Sequence, residues 1–466
     1  MLNSETIAAV STGLTESGIG IIRISGPESY SIAEKIFITS KRNAPDFTIS
    51  HHVHYGYIVD YVSRETLDEV LLINMKGPHS YTGEDTIEID CHGGVLMMQR
   101  ILKNVLDAGA KQAEPGEFTK RAFLNGRLDL SRAEAVIDVI NSKNEKAMQA
   151  AVSQLKGDLS EKIRQIRAVI LEDTAYIEAA LDDPEHIDLE GFSEKLSSHI
   201  KDAGAELEKL LASYENGRIA KEGINTVILG SPNAGKSSIL NYILGEDRAI
   251  VTEIAGTTRD TIEEHINIGG LTLNIADTAG IRNTCDPIEK IGVDKAMEKA
   301  AGADLLLFVV DSSKLPGPEE HEIIDYINSN SVKTVIILNK QDLTEAVNEA
   351  FILNSIHSAG SEDIIRMSAV EKYGKEELAS RINELFVRSE ISYNDELILS
   401  SMRHKKLIEN AIDSLKSVQD SVDAGMPEDF YTIDLVNAYT YLGNILGEDV
   451  DEDLVNEIFS KFCMGK

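Results

Sequence analysis

Residues 224–244 read INTVILGSPNAGKSSILNYIL. A short β-branched run ends at Leu229, a turn bracketed by Gly230 and Gly235 follows, and Lys236-Ser237-Ser238 opens a segment with apolar residues at helical spacing. Strand, turn and helix in that order are the context a phosphate-binding loop requires. The two glycines let backbone amides curl around phosphate oxygens, Ala234 and Gly235 lying in that run. Lys236 brings a point charge to the β and γ oxygens, and Ser237 offers a hydroxyl to Mg²⁺. Alone, the pattern would also fit an ATPase or a coincidental turn.

The segments downstream narrow the base. Asp277 follows the apolar run LTLNIA and heads the turn Asp277-Thr278-Ala279-Gly280, where the carboxylate can hold a magnesium shell and the Gly280 amide can meet a γ-phosphate. In NKQD, residues 339–342, Asn339 and Lys340 lead to Asp342, whose carboxylate can accept two hydrogen bonds from the guanine edge. Adenine lacks that donor pair, so the site disfavours ATP. Ser368-Ala369 offers the Ala369 amide to the guanine oxygen. Four motifs in order, each at a strand end, predict GTP binding.

Between the loop and Asp277 lies VTEIAGTTRD, residues 251–260, in the position of a first switch. Thr257 and Thr258 carry hydroxyls for a metal, Gly256 permits inward-facing carbonyls, and Thr252, Ile254 and Ala255 belong to the same stretch. Such oxygen-rich surroundings suit a hard cation. Asn233 adds a side-chain oxygen beside the phosphates, although in Pro-Asn it also reads as a plain turn former. Ile281 stands where many GTPases place a glutamine to orient the attacking water, and an apolar side chain cannot hydrogen-bond water.

Outward from this centre, residues 220–390 alternate apolar strands with helical segments, which predicts a doubly wound α/β domain. Residues 128–219 and 391–466 keep the helix period, as in Leu196, Ile200, Ala203, Leu207 and Leu210 or Leu435, Ala438, Leu442 and Ile445. Residues 1–127 mix β-rich runs with Gly and Pro turns, reading as α+β. The expected layout is multidomain: an N-terminal α+β domain, then one discontinuous α-helical domain into which the α/β domain is inserted. Two separate helical modules are the alternative.

With 45 Lys and Arg against 78 Asp and Glu the net charge is −33, which repels a polyanion at long range. RNA contact therefore needs local basic clusters, such as Lys120-Arg121 or Arg403-His404-Lys405-Lys406, or a basic partner. No signal peptide or apolar run of transmembrane length is evident, so a cytoplasmic, membrane-free protein is expected. Cys91, Cys285 and Cys463 are too scattered for a disulfide framework or a zinc site.

SPNAGKSSILN, IAGTTRD and DTAGIR resemble the potassium-activated GTPases of the Era-like group. GIGIIRISG (18–26), YTGEDTIEIDCHGG (81–94), PGEFTKRAFLNGRLDLSRAEAVIDVI (115–140) and the terminal FCMGK (462–466) resemble the MnmE (TrmE) family of tRNA modification GTPases along the whole chain. The resemblance implies an N-terminal domain that binds 5-formyl-tetrahydrofolate or a related folate and forms a homodimer. It also implies work with a FAD-containing partner, MnmG (GidA), on C5 of the wobble uridine of certain tRNAs. By the same resemblance Asn233, Thr252, Ile254 and Thr257 are the K⁺ ligands, Ser237 and Thr258 the Mg²⁺ ligands, and Glu289 the water-positioning group that Ile281 is not.

The folate set carried over is Arg23, Glu88, Arg127 and the terminal Lys466, the acid for pterin donors and the bases for carboxylates. Cys463 could be a reactive thiol in the tail or pack beside Phe462. His51, His52 and His54 in HHVHYG are read as structural, since His52 and His54 alternate on a strand without further ligands. Two other classes fit some of these features: a ribosome-assembly or RNA-binding GTP switch of the Era-like group, and a folate enzyme with a regulatory GTPase.

Overall fold

The computed structural model describes residues 5–187, 189–246, 264–275, 297, 300–347, 349–386, 397–448, 450–462 and 465. The chain divides into two compact units, one of Met1–Ile140, Gln154–Ile200 and Asp413–Lys466, the other of Asn141–Ser153 and Lys201–Ile412.

The first unit carries a seven-stranded sheet of β1 (Ile7–Val10), β2 (Ile19–Ser25), β3 (Phe37–Thr39), β4 (His52–Val59), β5 (Thr66–Met75), β6 (Thr86–His92) and β7 (Lys111–Gln112). Its spatial order is β3-β4-β5-β6-β2-β1-β7, antiparallel throughout except where β7 runs parallel to β1. Side chains alternate across a pleated sheet, so Ile22, Ile24, Val70, Leu72, Ile87 and Ile89 share one face. They bury against Ile32, Ala33 and Ile36 of the helix Ser29–Ile36 and Met98, Ile101 and Val105 of Val95–Asp107. Arg23, Glu88 and Asp90 fall on the opposite face, with Arg23 directly across from Glu88.

Two chain segments far apart in sequence pair within this unit. The 25-residue helix Asp158–Asp182 packs along Asp429–Leu446. Arg167, nearly buried, lies 3.9 Å over the Tyr439 ring and donates from Nη2 to Glu448 Oε2 at 2.6 Å. The last helix, Glu452–Ser460, settles on Glu117–Leu124, with Phe459 and Phe462 buried among Ala122, Leu128 and Leu130. Gly116, at φ 71°, is where the two approach: a Cβ there would stand 2.5 Å from the Phe459 carbonyl oxygen.

The second unit is built on β8 (Ile224–Leu229), β9 (Glu264–Ile268), β10 (Leu271–Ile275), β11 (Leu305–Asp311), β12 (Lys333–Asn339) and β13 (Ile364–Arg366). The order is β13-β12-β11-β8-β10-β9, parallel except for the β9/β10 hairpin. Buried on both faces, the central strands are continuous apolar runs. Leu305, Leu307 and Val309 enter one core, Leu306, Phe308 and Val310 the other. From β8 the chain order runs to β9 and β10 on one side of it and then to β11 on the other, so the strand order reverses at β8 and its C-terminal end is the crevice where such sheets bind ligands. Among the described residues no helix is long and apolar enough to cross a membrane.

Candidate functional site

The turn at the end of β8 leads straight into the helix Lys236–Glu246. Gly230 has φ 154° and Gly235 φ 96°, and Asn233 also takes a left-handed φ of 63°, tolerable for asparagine. Close packing demands the glycines as much as conformation does. A Cβ on Gly230 would meet the Val309 carbonyl at 2.4 Å, and one on Gly235 would meet Asn339 Nδ2 at 2.1 Å. The Lys236 ammonium sits over the loop, donating to the carbonyls of Gly230 at 2.7 Å and Ser231 at 2.8 Å. A helix N-terminus topped by loop amides and this charge suits a polyphosphate.

The base-reading motif is tied to the same loop. Asn339, at the end of β12, donates from Nδ2 to the Ala234 carbonyl at 2.8 Å, while its buried Oδ1 has no partner among the described residues. Lys340 spans the loop, donating to the Asn233 carbonyl at 2.8 Å and to Asp311 Oδ2 at 2.6 Å. Ser368 donates to Asp342 Oδ1 at 2.8 Å and accepts from the Glu371 amide, orienting the carboxylate that would read guanine. Ala369 is half-buried against the adjoining core. Asn233, Ala234, Gly235, Lys236, Ser237 and Ser238 are thus gathered at one sheet end with Asn339, Lys340, Asp342, Ser368 and Ala369.

Sequence reasoning missed Asp311. Burial pushes its carboxyl up, but hydrogen bonds from Lys340 and Ser313 outweigh that and hold it below the ordinary value. Its signal was a charged residue closing an apolar strand, LLLFVVD, where solvation is scarce. Thr252, Ile254, Ala255, Gly256, Thr257, Thr258, Asp277, Thr278, Ala279, Gly280, Ile281 and Glu289 lie outside the described residues. Of the K⁺ set only Asn233 is described, and of the Mg²⁺ set only Ser237, which stands in the first turn of the loop's helix.

In the first unit Arg23 Nε donates to Glu88 Oε1 at 2.8 Å. Tyr81 and Phe118, which sequence reasoning did not single out, flank the Arg23 guanidinium at 4.8 and 5.5 Å from their ring centres. Arg127 lies 5.1 Å from the Tyr81 ring and donates to the Tyr81 carbonyl at 2.9 Å. Of the four residues expected to hold folate, Arg23 and Arg127 therefore share the Tyr81 ring and Glu88 is paired with Arg23, whose buried Nη1 has no partner among the described residues. An orphaned donor beside a carboxylate and aromatic faces fits a planar heterocycle bearing a carbonyl.

Lys466 and Cys463 lie outside the described residues, but Gly465 is buried at φ 88°, where a Cβ would stand 2.1 Å from the Val10 carbonyl. Ala9, the neighbour of Val10, is paired with Arg23. Gly465 thus packs at the end of β1, the strand paired with the one that carries Arg23.

Other candidates change meaning. Arg121 is buried and paired with Glu84 at 3.1 Å and Glu117 at 2.9 Å, so the Lys120-Arg121 cluster offers no arginine to RNA. His404 is fully buried, and Lys405 lies over the Tyr214 ring at 4.6 Å. His54 Nε2 bonds Asn74 Oδ1 at 3.1 Å, and the described residues contain no metal-competent group of three His, Cys, Asp or Glu. Burial, with nearby Asp68, pushes the Cys91 thiol up to about 11, which makes it a packing residue.

Comparison with known proteins gives two family matches: the MnmE helical domain over residues 130–463 and the GTP-binding protein TrmE N-terminus over residues 6–127. The first brackets the whole sheet of the α/β unit. Over 466 residues the chain is 53% identical to a tRNA modification GTPase MnmE of Lachnoclostridium phytofermentans, covering 100% of each. It is 46% identical over 469 residues to the protein of that name from Acetivibrio thermocellus, again covering 100% of each. Among solved structures, Era of Aquifex aeolicus is 25% identical, with 41% of this chain and 66% of that chain covered and a TM-score of 0.26.

Proposed function

The chain belongs to the MnmE (TrmE) family of tRNA modification GTPases, and we propose on that basis that it modifies C5 of the wobble uridine of certain tRNAs. It is a GTP hydrolase acting in tRNA modification. The group added is aminomethyl or carboxymethylaminomethyl, and the work is shared with a FAD-containing partner, MnmG (GidA), in the cytoplasm. One observation carries the nucleotide part: the bonds from Asn339 and Lys340 to the Ala234 and Asn233 carbonyls, which lock the base-reading motif to the phosphate loop.

Within that reading, Asp342 and the Ala369 amide select guanine, Lys236 and the loop amides hold the phosphates, and Ser237 with Thr258 holds Mg²⁺. Asn233, Thr252, Ile254 and Thr257 hold K⁺, which when bound supplies positive charge against the negative charge developing on the phosphates. Glu289 orients the attacking water, since a carboxylate accepts a hydrogen bond that Ile281 cannot. Arg23, Glu88, Arg127 and Lys466 hold a formyl-tetrahydrofolate. The domains are assigned as 1–127 folate-binding, 128–219 and 391–466 helical, and 220–390 for GTP. A homodimer draws support from the outer face of the first sheet, where Ile19, Val53, Tyr55 and Leu71 are exposed together.

The test is GTP hydrolysis in potassium against sodium. Potassium should stimulate the native chain, Asn233→Ala should lose the stimulation, and Glu289→Ala should keep GTP affinity while losing potassium-stimulated turnover. Equal rates in both salts, or unchanged single-turnover hydrolysis in Glu289→Ala, would contradict this assignment.

A further inference from the structure

On the outer face of the first sheet, Asp90 lies two positions beyond Glu88 on β6, facing Ile21 of β2 on one side and Leu71 of β5 on the other. Glu88 occupies the Nε edge of Arg23. Arg23 Nη1 and Asp90 Oδ1 remain sealed from solvent, and neither has a hydrogen-bond partner among the described residues. A buried donor and a buried acceptor left unpaired on one face each carry an uncompensated desolvation cost. One ligand with an acceptor and a donor would relieve both.

We infer that Asp90 is a third recognition residue for the planar heterocycle received by Arg23 and Glu88, and that it acts as the neutral carboxylic acid. The inference rests on the folate reading of that pair. A tetrahydropterin edge presents in order a carbonyl, a ring N–H, an amino group, a bare ring nitrogen and a second N–H. By sequence Arg23 is expected to meet a carboxylate, but its Nη1, beside Glu88 and unpartnered among the described residues, suits the ring carbonyl instead, and the Glu88 carboxylate suits the N–H and amino pair. A protonated Asp90, one donor and one acceptor, suits the bare nitrogen and the last N–H.

The surroundings favour that acid form. Burial, and then the like charge of Glu88, pushes the Asp90 carboxyl up from its ordinary value. The residues directly across it are aliphatic, so no cation stands opposite. The other ionisable groups around it are accounted for: Arg23 is paired with Glu88, Glu69 on β5 accepts from the Tyr55 hydroxyl of β4, and His92 on β6 bonds Asp68. An aliphatic residue at this position would fit the strand better, which marks the carboxyl as one retained for binding at the expense of stability.

Binding of 5-formyl-tetrahydrofolate to the full-length protein, together with melting of the ligand-free chain, tests this. Asp90→Leu should weaken binding by at least about tenfold while raising the melting temperature. Asp90→Asn, which keeps one donor and one acceptor, should bind like the native chain. Native affinity should fall as pH rises through the Asp90 pKa, and that of Asp90→Asn should stay flat. Asp90→Leu binding as tightly as the native chain at every pH would overturn the inference alone. A native chain that binds no folate would overturn the folate reading and this inference with it.

Discussion

Gly235 has a narrower tolerance than its motif suggests. Its positive φ excludes most side chains, and a Cβ added there would stand 2.1 Å from Asn339 Nδ2, which excludes even alanine without breaking the bond to Ala234. Gly235→Ala should therefore lower GTP affinity by at least about tenfold, read by titration with a fluorescent GTP analogue. Asp311 carries a pH signature. Its folded pKa is depressed, so its stabilisation is complete above the unfolded value of 3.8 and lost as pH falls through the lower folded value. Asp311→Asn should melt below the native chain at neutral pH, and the gap should close only below about pH 4. Lys236, Asn339 and Asp342 were legible because each motif stands at a strand end whose pattern is local. Asp311, Tyr81, Phe118 and Asp90 were not, because their roles come from neighbours distant in sequence.

At the scale of elements, the long helices were the most legible, and their buried positions follow the apolar period. Leu196, Ile200, Ala203, Leu207 and Leu210 are all buried, as are Leu435, Ala438, Leu442 and Ile445. Strands β1, β3 and β7 escaped, since IAAV, FIT and KQ are too short to show a period and are held by pairing with longer neighbours. Periodicity also said nothing of which helices touch. The Arg167 and Glu448 bond gives a measure of one such contact. Glu448→Gln removes the charge but keeps the shape, and should cost about 1 kcal/mol, kept small because the glutamate is half-exposed. The C-terminal tail offers another test. Gly465→Val would drive a side chain into the Val10 carbonyl, so folate affinity should fall while the affinity for GTP stays native.

Over the whole molecule, the layout of an α+β domain, a discontinuous helical domain and an inserted α/β domain was readable because both flanks keep a helix period while the middle alternates strands and helices. The pairing of Asp158–Asp182 with Asp429–Leu446 supplies the physical reason for the discontinuity: two helices far apart in sequence pack on each other. A net charge of −33 sets the remaining problem, the approach of a polyanion. Burial of Arg121 and His404 takes one residue from each basic cluster; the proposed partner is expected to carry most of the tRNA affinity, and tight tRNA binding by this chain alone would count against that. The most direct measurement is the nucleoside composition of tRNA from cells lacking this chain, complemented with the native or the Gly235→Ala form. The account predicts loss of the C5-substituted wobble uridine, restored by the native chain and not by Gly235→Ala. Unaltered wobble uridine modification in cells without the chain would contradict it.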